Sequence, residues 1–177
     1  MTASATRDRI CGNVSAPEPT RKPFPMPSDQ PETTTDYDFS EQIGHLLRKA
    51  YQRHVAIFQR NACDPQLTGV QFVTLCAVRD RGPSSLTQLV QATAVDQATI
   101  RGIIERLKAR DLITLASDPE DRRKVVVNLT DAGRTLIEDM VPHARRITEL
   151  TLDGLNPAER LAILFLLRKM NEQEPPE

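Results

Sequence analysis

Apolar residues recur at helical spacing along most of this chain, and the stretches between them carry polar residues of the kind that cap helices and close turns. A first stripe runs through Leu46, Leu47, Ala50, Tyr51, His54, Ile57 and Phe58, with Asp38-Phe39-Ser40-Glu41 as its cap. Thr68-Gly69-Val70-Gln71 and Ser85-Leu86-Thr87-Gln88 each fit a capping box, a hydroxyl and a glutamine three residues apart that satisfy orphan backbone donors reciprocally. The first box opens a helix through Phe72, Val73, Leu75, Cys76 and Val78 that Gly82-Pro83 stops, and the second opens a short one that fades near Thr93-Ala94. Asp96 caps a further helix with Ile100, Ile103, Ile104 and Leu107 on its apolar face. The period then changes. Asp118-Pro119-Glu120-Asp121 favours a tight turn, Val125-Val126-Val127 an extended strand, and Thr130-Asp131 a new helix start. Asn156-Pro157-Ala158-Glu159 opens a last helix, whose Leu161-Ala162-Ile163-Leu164-Phe165-Leu166-Leu167 is apolar on every side.

Helix, short helix, helix, hairpin is the order of a winged helix-turn-helix. The expected fold is therefore mainly α with a small β-hairpin, a winged helix-turn-helix plus a helical dimerisation region. In that motif the helix before the hairpin enters the major groove and its first side chains meet base edges. Gln97, Ala98, Thr99 and Arg101 hold those positions, with Ser85 and Thr87 at the start of the preceding helix as further contacts. Arg122, Arg123 and Lys124 leave the hairpin turn together, where cations pair with phosphates or enter a minor groove. Taken alone, such a basic tripeptide also fits a merely solvated hairpin tip.

The last helix bears on assembly. A terminal helix on a small domain cannot bury every face against its own chain, so a second subunit is expected to cover Leu155, Leu161, Leu164, Phe165 and Leu167. Two-fold symmetry would set the recognition helices about 34 Å apart on a near-palindromic operator.

Composition narrows the class. A chain of 177 residues with 39% hydrophobic residues suits one folded domain. Its net charge of −1 is not that of a nonspecific nucleic-acid binder, so any DNA affinity must come from local charge. Residues 1–36, rich in Pro, Ser, Thr and mixed charges, read as a disordered tail, or alternatively as an arm reaching DNA or the partner subunit through Arg7, Arg9, Arg21 and Lys22, and 172–177 as a frayed end. No long apolar run or signal-peptide core is visible, which predicts a cytoplasmic protein without a membrane partner. Cys11, Cys63 and Cys76 form no Cys-x-x-Cys pair.

These residues resemble the multiple-antibiotic-resistance regulator (MarR) family of bacterial transcription factors. The likeness rests on Asp118, Asp121, Arg123, Leu129, Thr130 and Gly133 at the wing spacing, on Leu67-Thr68 with Phe72 and Leu75, and on Thr99-Ile100 with Leu107. It spans about Phe39 to Met170. Two positions depart from it: Asp111 stands where a helix-ending glycine is usual, and Leu115-Ala116 replace a basic residue of the first wing strand. The resemblance implies a domain over 37–171, dimerising through about 37–62 and 131–171, with a DNA-binding lobe at about 67–130. It also implies a small aromatic carboxylate effector between the lobes. His45 and Arg48, three apart on the first helix, would hold the carboxylate, and Tyr51, Thr68 and Phe72 would complete the site. The segments Arg48 to His54 and Ala98 to Ile103 are similar to repressors of nicotinate degradation, which points to a hydroxylated pyridine carboxylate. His54, on an apolar stripe, reads as a packed core or interface histidine.

Other classes fit less well. His45 and His54, nine residues apart, turn about 900° and face opposite ways, so no metal site is expected. Nor is any cofactor. A thiol-redox sensor needs an exposed, acidic cysteine, for which Cys63 is the candidate. A winged-helix protein-interaction module is a further alternative, and no Ser/His/Asp order or phosphate loop suggests an enzyme.

Overall fold

The computed structural model describes residues 37–118 and 124–172. The tail expected over 1–36, the wing-tip residues 119–123 and the end at 173–177 lie outside them. Asp38–Glu177 is one compact unit, and Met1–Tyr37, of which only Tyr37 is described, is another. Within the first, a 3-10 turn (Phe39–Glu41) precedes α1 (Ile43–Asn61), α2 (Gly69–Arg81), β1 (Ser84–Ser85), α3 (Leu86–Thr93), α4 (Gln97–Ala109), β2 (Ile113–Ser117), β3 (Val125–Leu129), α5 (Asp131–Thr151) and α6 (Pro157–Asn171).

Local chemistry fixes most of these boundaries. Both capping boxes close as their sequences require: Gln71 N donates to Thr68 Oγ1 at 3.3 Å while Thr68 N donates to Gln71 Oε1 at 3.0 Å, and Ser85 and Gln88 repeat the exchange. Asp38 caps the short 3-10 turn, accepting from Ser40 N at 2.8 Å, so α1 begins later than that cap suggests. Gly82 ends α2 at a φ of 78°, a left-handed conformation that suits a residue without a Cβ. Asp111 takes the same role after α4 at a φ of 54°, in the place where the family resemblance led one to expect glycine.

The sheet has a strand that the hairpin reading did not contain. β1 pairs antiparallel with β3 at Ser84–Val127 and Ser85–Val126, giving the order β1-β3-β2. Two residues cannot produce a visible alternation, so nothing in the sequence marks Ser84–Ser85 as a strand. The pairing ties the start of α3 to the wing. Leu75, Leu89, Ile100, Leu107, Ile113 and Val127 close the core between α2, α3, α4 and the sheet, and Ile137, Met140 and Ile147 of α5 join the same cluster. α1 packs along α5.

α6 stands apart. None of its residues is buried and it packs extensively on no other described element. Leu161 is 72% exposed and Phe165 63%, with Leu164 also exposed and Leu155 and Leu167 half-buried. On α1, Ile43, Leu46, Leu47, Tyr51 and Val55 are exposed as well. Among the described residues no helix is long and apolar enough to cross a membrane.

Candidate DNA-reading surface and effector cavity

The helix-turn-helix is α3, a turn at Ala94, and α4. Ile100, Ile103, Ile104 and Leu107 bury one face of α4, which forces Gln97, Ala98, Thr99 and Arg101 outward at its start. All four are exposed. Asp96 fixes that end by accepting from Thr99 N at 2.9 Å, and its hydrogen bonds to Thr99 hold its carboxyl below the ordinary carboxylate range. Thr87 is exposed at the start of α3, whereas Ser85 is half-buried and uses its oxygen as the α3 cap. Lys124 is exposed at the base of the wing, and Arg122 and Arg123 lie outside the described residues.

A cavity of about 580 Å³ opens between the helical part and the helix-turn-helix. Tyr51, His54, Val55 and Phe58 of α1 form one wall, Thr68, Gly69, Phe72 and Val73 another, and the α3–α4 turn at Thr93, Ala94 and Val95 a third. Ala144, Ile147 and Thr148 of α5 close it. The wall is mainly apolar, with Phe58 and Phe72 offering ring faces whose centroids lie 6.4 Å apart. Of the ligand residues expected from sequence, Tyr51, Thr68 and Phe72 come together here. His45 and Arg48 do not line the cavity. They stand on the first turns of α1, and at 1.5 Å per residue Arg48 lies roughly 9 Å along the axis from His54. His45 instead meets the ring of Phe39 edge-on at 5.3 Å.

His54 differs from its expected role. It is half-buried, lines the cavity, and places Nδ1 3.0 Å from Thr151 Oγ1 on α5. The signal was present: His54 is three residues from Tyr51 and four from Phe58, so all three share one face of α1. Asp64 and Arg110 were also missed. Their ion pair joins the α1–α2 loop to the C-terminal cap of α4, a link between positions far apart in sequence.

Cys63 is exposed, and desolvation, followed by Asp139 and Asp64, pushes its thiol up, away from the acidic cysteine a redox sensor needs; Cys76 is pushed up by burial as well. Among the described residues no group of three or more His, Cys, Asp or Glu could hold a metal ion.

Known proteins share this sequence pattern and fold. A family model described as MarR family matches residues 66–124. The chain is 64% identical over 148 residues to the HTH-type transcriptional repressor NicR of Pseudomonas putida, covering 84% of this chain and 94% of that protein. The structure is similar to that of BpsR from Bordetella bronchiseptica, solved in work on regulation of its DNA binding by 6-hydroxynicotinic acid. The two share 62% identity and a TM-score of 0.75, covering 78% of this chain and 99% of that one. A MarR variant from E. coli in complex with operator DNA has the same fold at 22% identity and a TM-score of 0.69, covering 76% and 99%.

Proposed function

Because this chain belongs to the MarR family, we propose that it is a homodimeric, sequence-specific transcriptional repressor whose hold on its operator is relieved by a hydroxylated pyridine carboxylate of the 6-hydroxynicotinic acid class. The single observation that carries the effector part is the cavity, whose walls come from α1 and α5 on one side and from α2 and the α3–α4 turn on the other. A ligand touching both sides favours one orientation of α4 relative to the helical part. In a dimer that orientation sets the spacing of two recognition helices, so a ligand that prefers a mismatched spacing shifts the population away from the DNA-bound state.

The DNA part rests on the exposed start of α4. Gln97, Thr99 and Arg101 read base edges there, Ala98 packs against them, Ser85 and Thr87 approach the backbone, and Lys124 with Arg122 and Arg123 supplies the wing cations. The dimer is built from α6 and the exposed face of α1, where Leu161, Phe165, Ile43 and Tyr51 stand uncovered in one protomer. Such a protein acts in the cytoplasm, where its operator is, and works by binding alone rather than as an enzyme. The effector is held by Tyr51, His54, Thr68 and Phe72.

The test is a mobility-shift titration of the protein's own promoter fragment, with and without 6-hydroxynicotinic acid. A shift at nanomolar protein that survives competitor DNA and is released by the acid supports the reading. A shift insensitive to the acid removes the effector. No sequence-specific shift at all returns the protein to the class of interaction modules.

A further inference from the structure

The hydrogen bonds around the cavity determine what kind of ligand it accepts. Thr151 Oγ1 donates its one proton to Ile147 O at 2.8 Å, the back-bond usual for threonine in a helix. The same oxygen lies 3.0 Å from His54 Nδ1. Both contacts are hydrogen bonds only if Nδ1 is the donor, since the hydroxyl proton is already committed. His54 is thereby fixed as the Nδ1–H tautomer. In the neutral ring Nε2 is then left with a lone pair, and it has no partner among the described residues.

The hydroxyls sharing the wall sort the same way. Thr93 donates to Leu89 O at 2.7 Å and Thr148 to Ala144 O at 3.0 Å, so both offer only acceptor capacity. Thr68 accepts from Gln71 N and keeps its proton, which makes it a donor. The cavity therefore holds acceptors at neutral His54, Thr93, Thr148 and Gln59 Oε1, a donor at Thr68 and the Tyr51 hydroxyl, which can do either, around the faces of Phe58 and Phe72. A plain aromatic acid would satisfy Thr68 but leave the His54 nitrogen desolvated against a C–H edge, and an unpaired buried polar group is expensive.

We infer that His54 is the specificity-determining residue of this cavity, selecting flat aromatic acids that present a ring N–H or O–H donor to its Nε2 over analogues without that donor. This rests on the effector reading above and adds the chemical feature that His54 reads.

The experiment is calorimetric titration of the full-length dimer with two pairs of acids differing by one ring hydroxyl: 6-hydroxynicotinic against nicotinic acid, and 4-hydroxybenzoic against benzoic acid. The wild type is expected to bind at least one hydroxylated acid about tenfold or more tightly than its partner, equivalent to about 1.4 kcal/mol. In His54→Leu the preference should fall to within about twofold through loss of the hydroxylated acid alone. His54→Gln keeps an acceptor near the position of Nε2 and should retain part of the preference, which guards against a folding defect in the leucine variant. Thr151→Val releases the tautomer and should lower the preference without touching the ligand. A preference undiminished in His54→Leu overturns the assignment, as does equal binding within both pairs by the wild type. If 4-hydroxybenzoic acid shows the His54-dependent preference and 6-hydroxynicotinic acid does not bind, the inference stands and the pyridine effector falls. Binding of neither hydroxylated acid overturns both.

Discussion

At Gly133, in the first turn of α5, a side chain has no room: a Cβ there would collide with Leu112 O. The close approach brings the α5 start onto the turn after α4, where Thr130 N donates to Leu112 O and Thr130 Oγ1 to Asp111 O. Gly133→Ala must displace backbone rather than a flexible side chain, and is expected to cost about 2–4 kcal/mol in urea unfolding. Asp111 gives the opposite sign. At a φ of 54° it pays for a conformation that glycine adopts freely, so Asp111→Gly should raise stability by about 0.5–1 kcal/mol in the same assay. The Asp96 cap is a matter of pH. Its folded carboxyl lies below the ordinary value of 3.8, so its contribution is present above that pH and is lost as pH falls through the lower folded value. A carboxyl titration of Asp96 by NMR should show a midpoint below 3.8, shifting back toward it in Thr99→Pro, which removes the donor.

Among the elements, α4 is the one whose orientation matters most, and it is secured at both ends. Asp96 holds its start, while at its end Arg110 pairs with Asp64 of the α1–α2 loop, both side chains mostly buried. Gln59 Nε2 donates to Pro65 O at 2.9 Å, which ties that loop to α1, and His143 Nδ1 lies 2.8 Å from Asn61 O, which ties the end of α1 to α5. The recognition helix is thus braced against the helical part on the side away from the α3–α4 turn. Asp64→Ala and Arg110→Ala should each destabilise by about 1–3 kcal/mol. The double variant should cost clearly less than their sum, because either single change leaves a partly buried charge alone. A strictly additive cycle in chemical denaturation would mean that the pair does not act as a unit. Arg110 Nη1 is buried with no hydrogen-bond partner among the described residues, so the Arg110 variant also removes an unsatisfied donor and is expected to be the milder of the two.

For the whole molecule, the proposed dimer would cover the exposed apolar residues of α6 and the N-terminal half of α1. Leu164→Glu would put a carboxylate into the surface expected between subunits, and Leu164 is already 38% exposed within one protomer, so the fold itself has little reason to object. Sedimentation should show a folded monomer at micromolar concentration, with operator affinity reduced at least a hundredfold because two half-sites are no longer bound together. A folded dimer would move the interface elsewhere. The charge of the chain makes a second prediction at this scale. With a net charge of only −1, binding depends on local cations, and Lys124→Ala removes two of them from a dimer. The slope of log affinity against log salt should flatten by about 1.8, whatever the DNA sequence.

Sequence by itself determined the helices and their order, because each is set by local chemistry: capping boxes at Thr68, Ser85 and Asn156 and apolar residues at one helical period. It also placed the outward face of α4, since burying Ile100, Ile103 and Leu107 leaves Gln97, Thr99 and Arg101 no other direction. Tertiary structure decided what depends on distance between segments. β1 exists because β3 returns to it, not because two serines favour a strand. Arg110 finds Asp64 across 46 positions. His54 was legible as a residue on an apolar stripe, and only the approach of α5, bringing Thr151 Oγ1 within 3.0 Å of its Nδ1, made that ring nitrogen a donor beside the cavity. Periodicity reports which face of a helix is covered. What covers it, and which proton is spent there, is settled only when the helices meet.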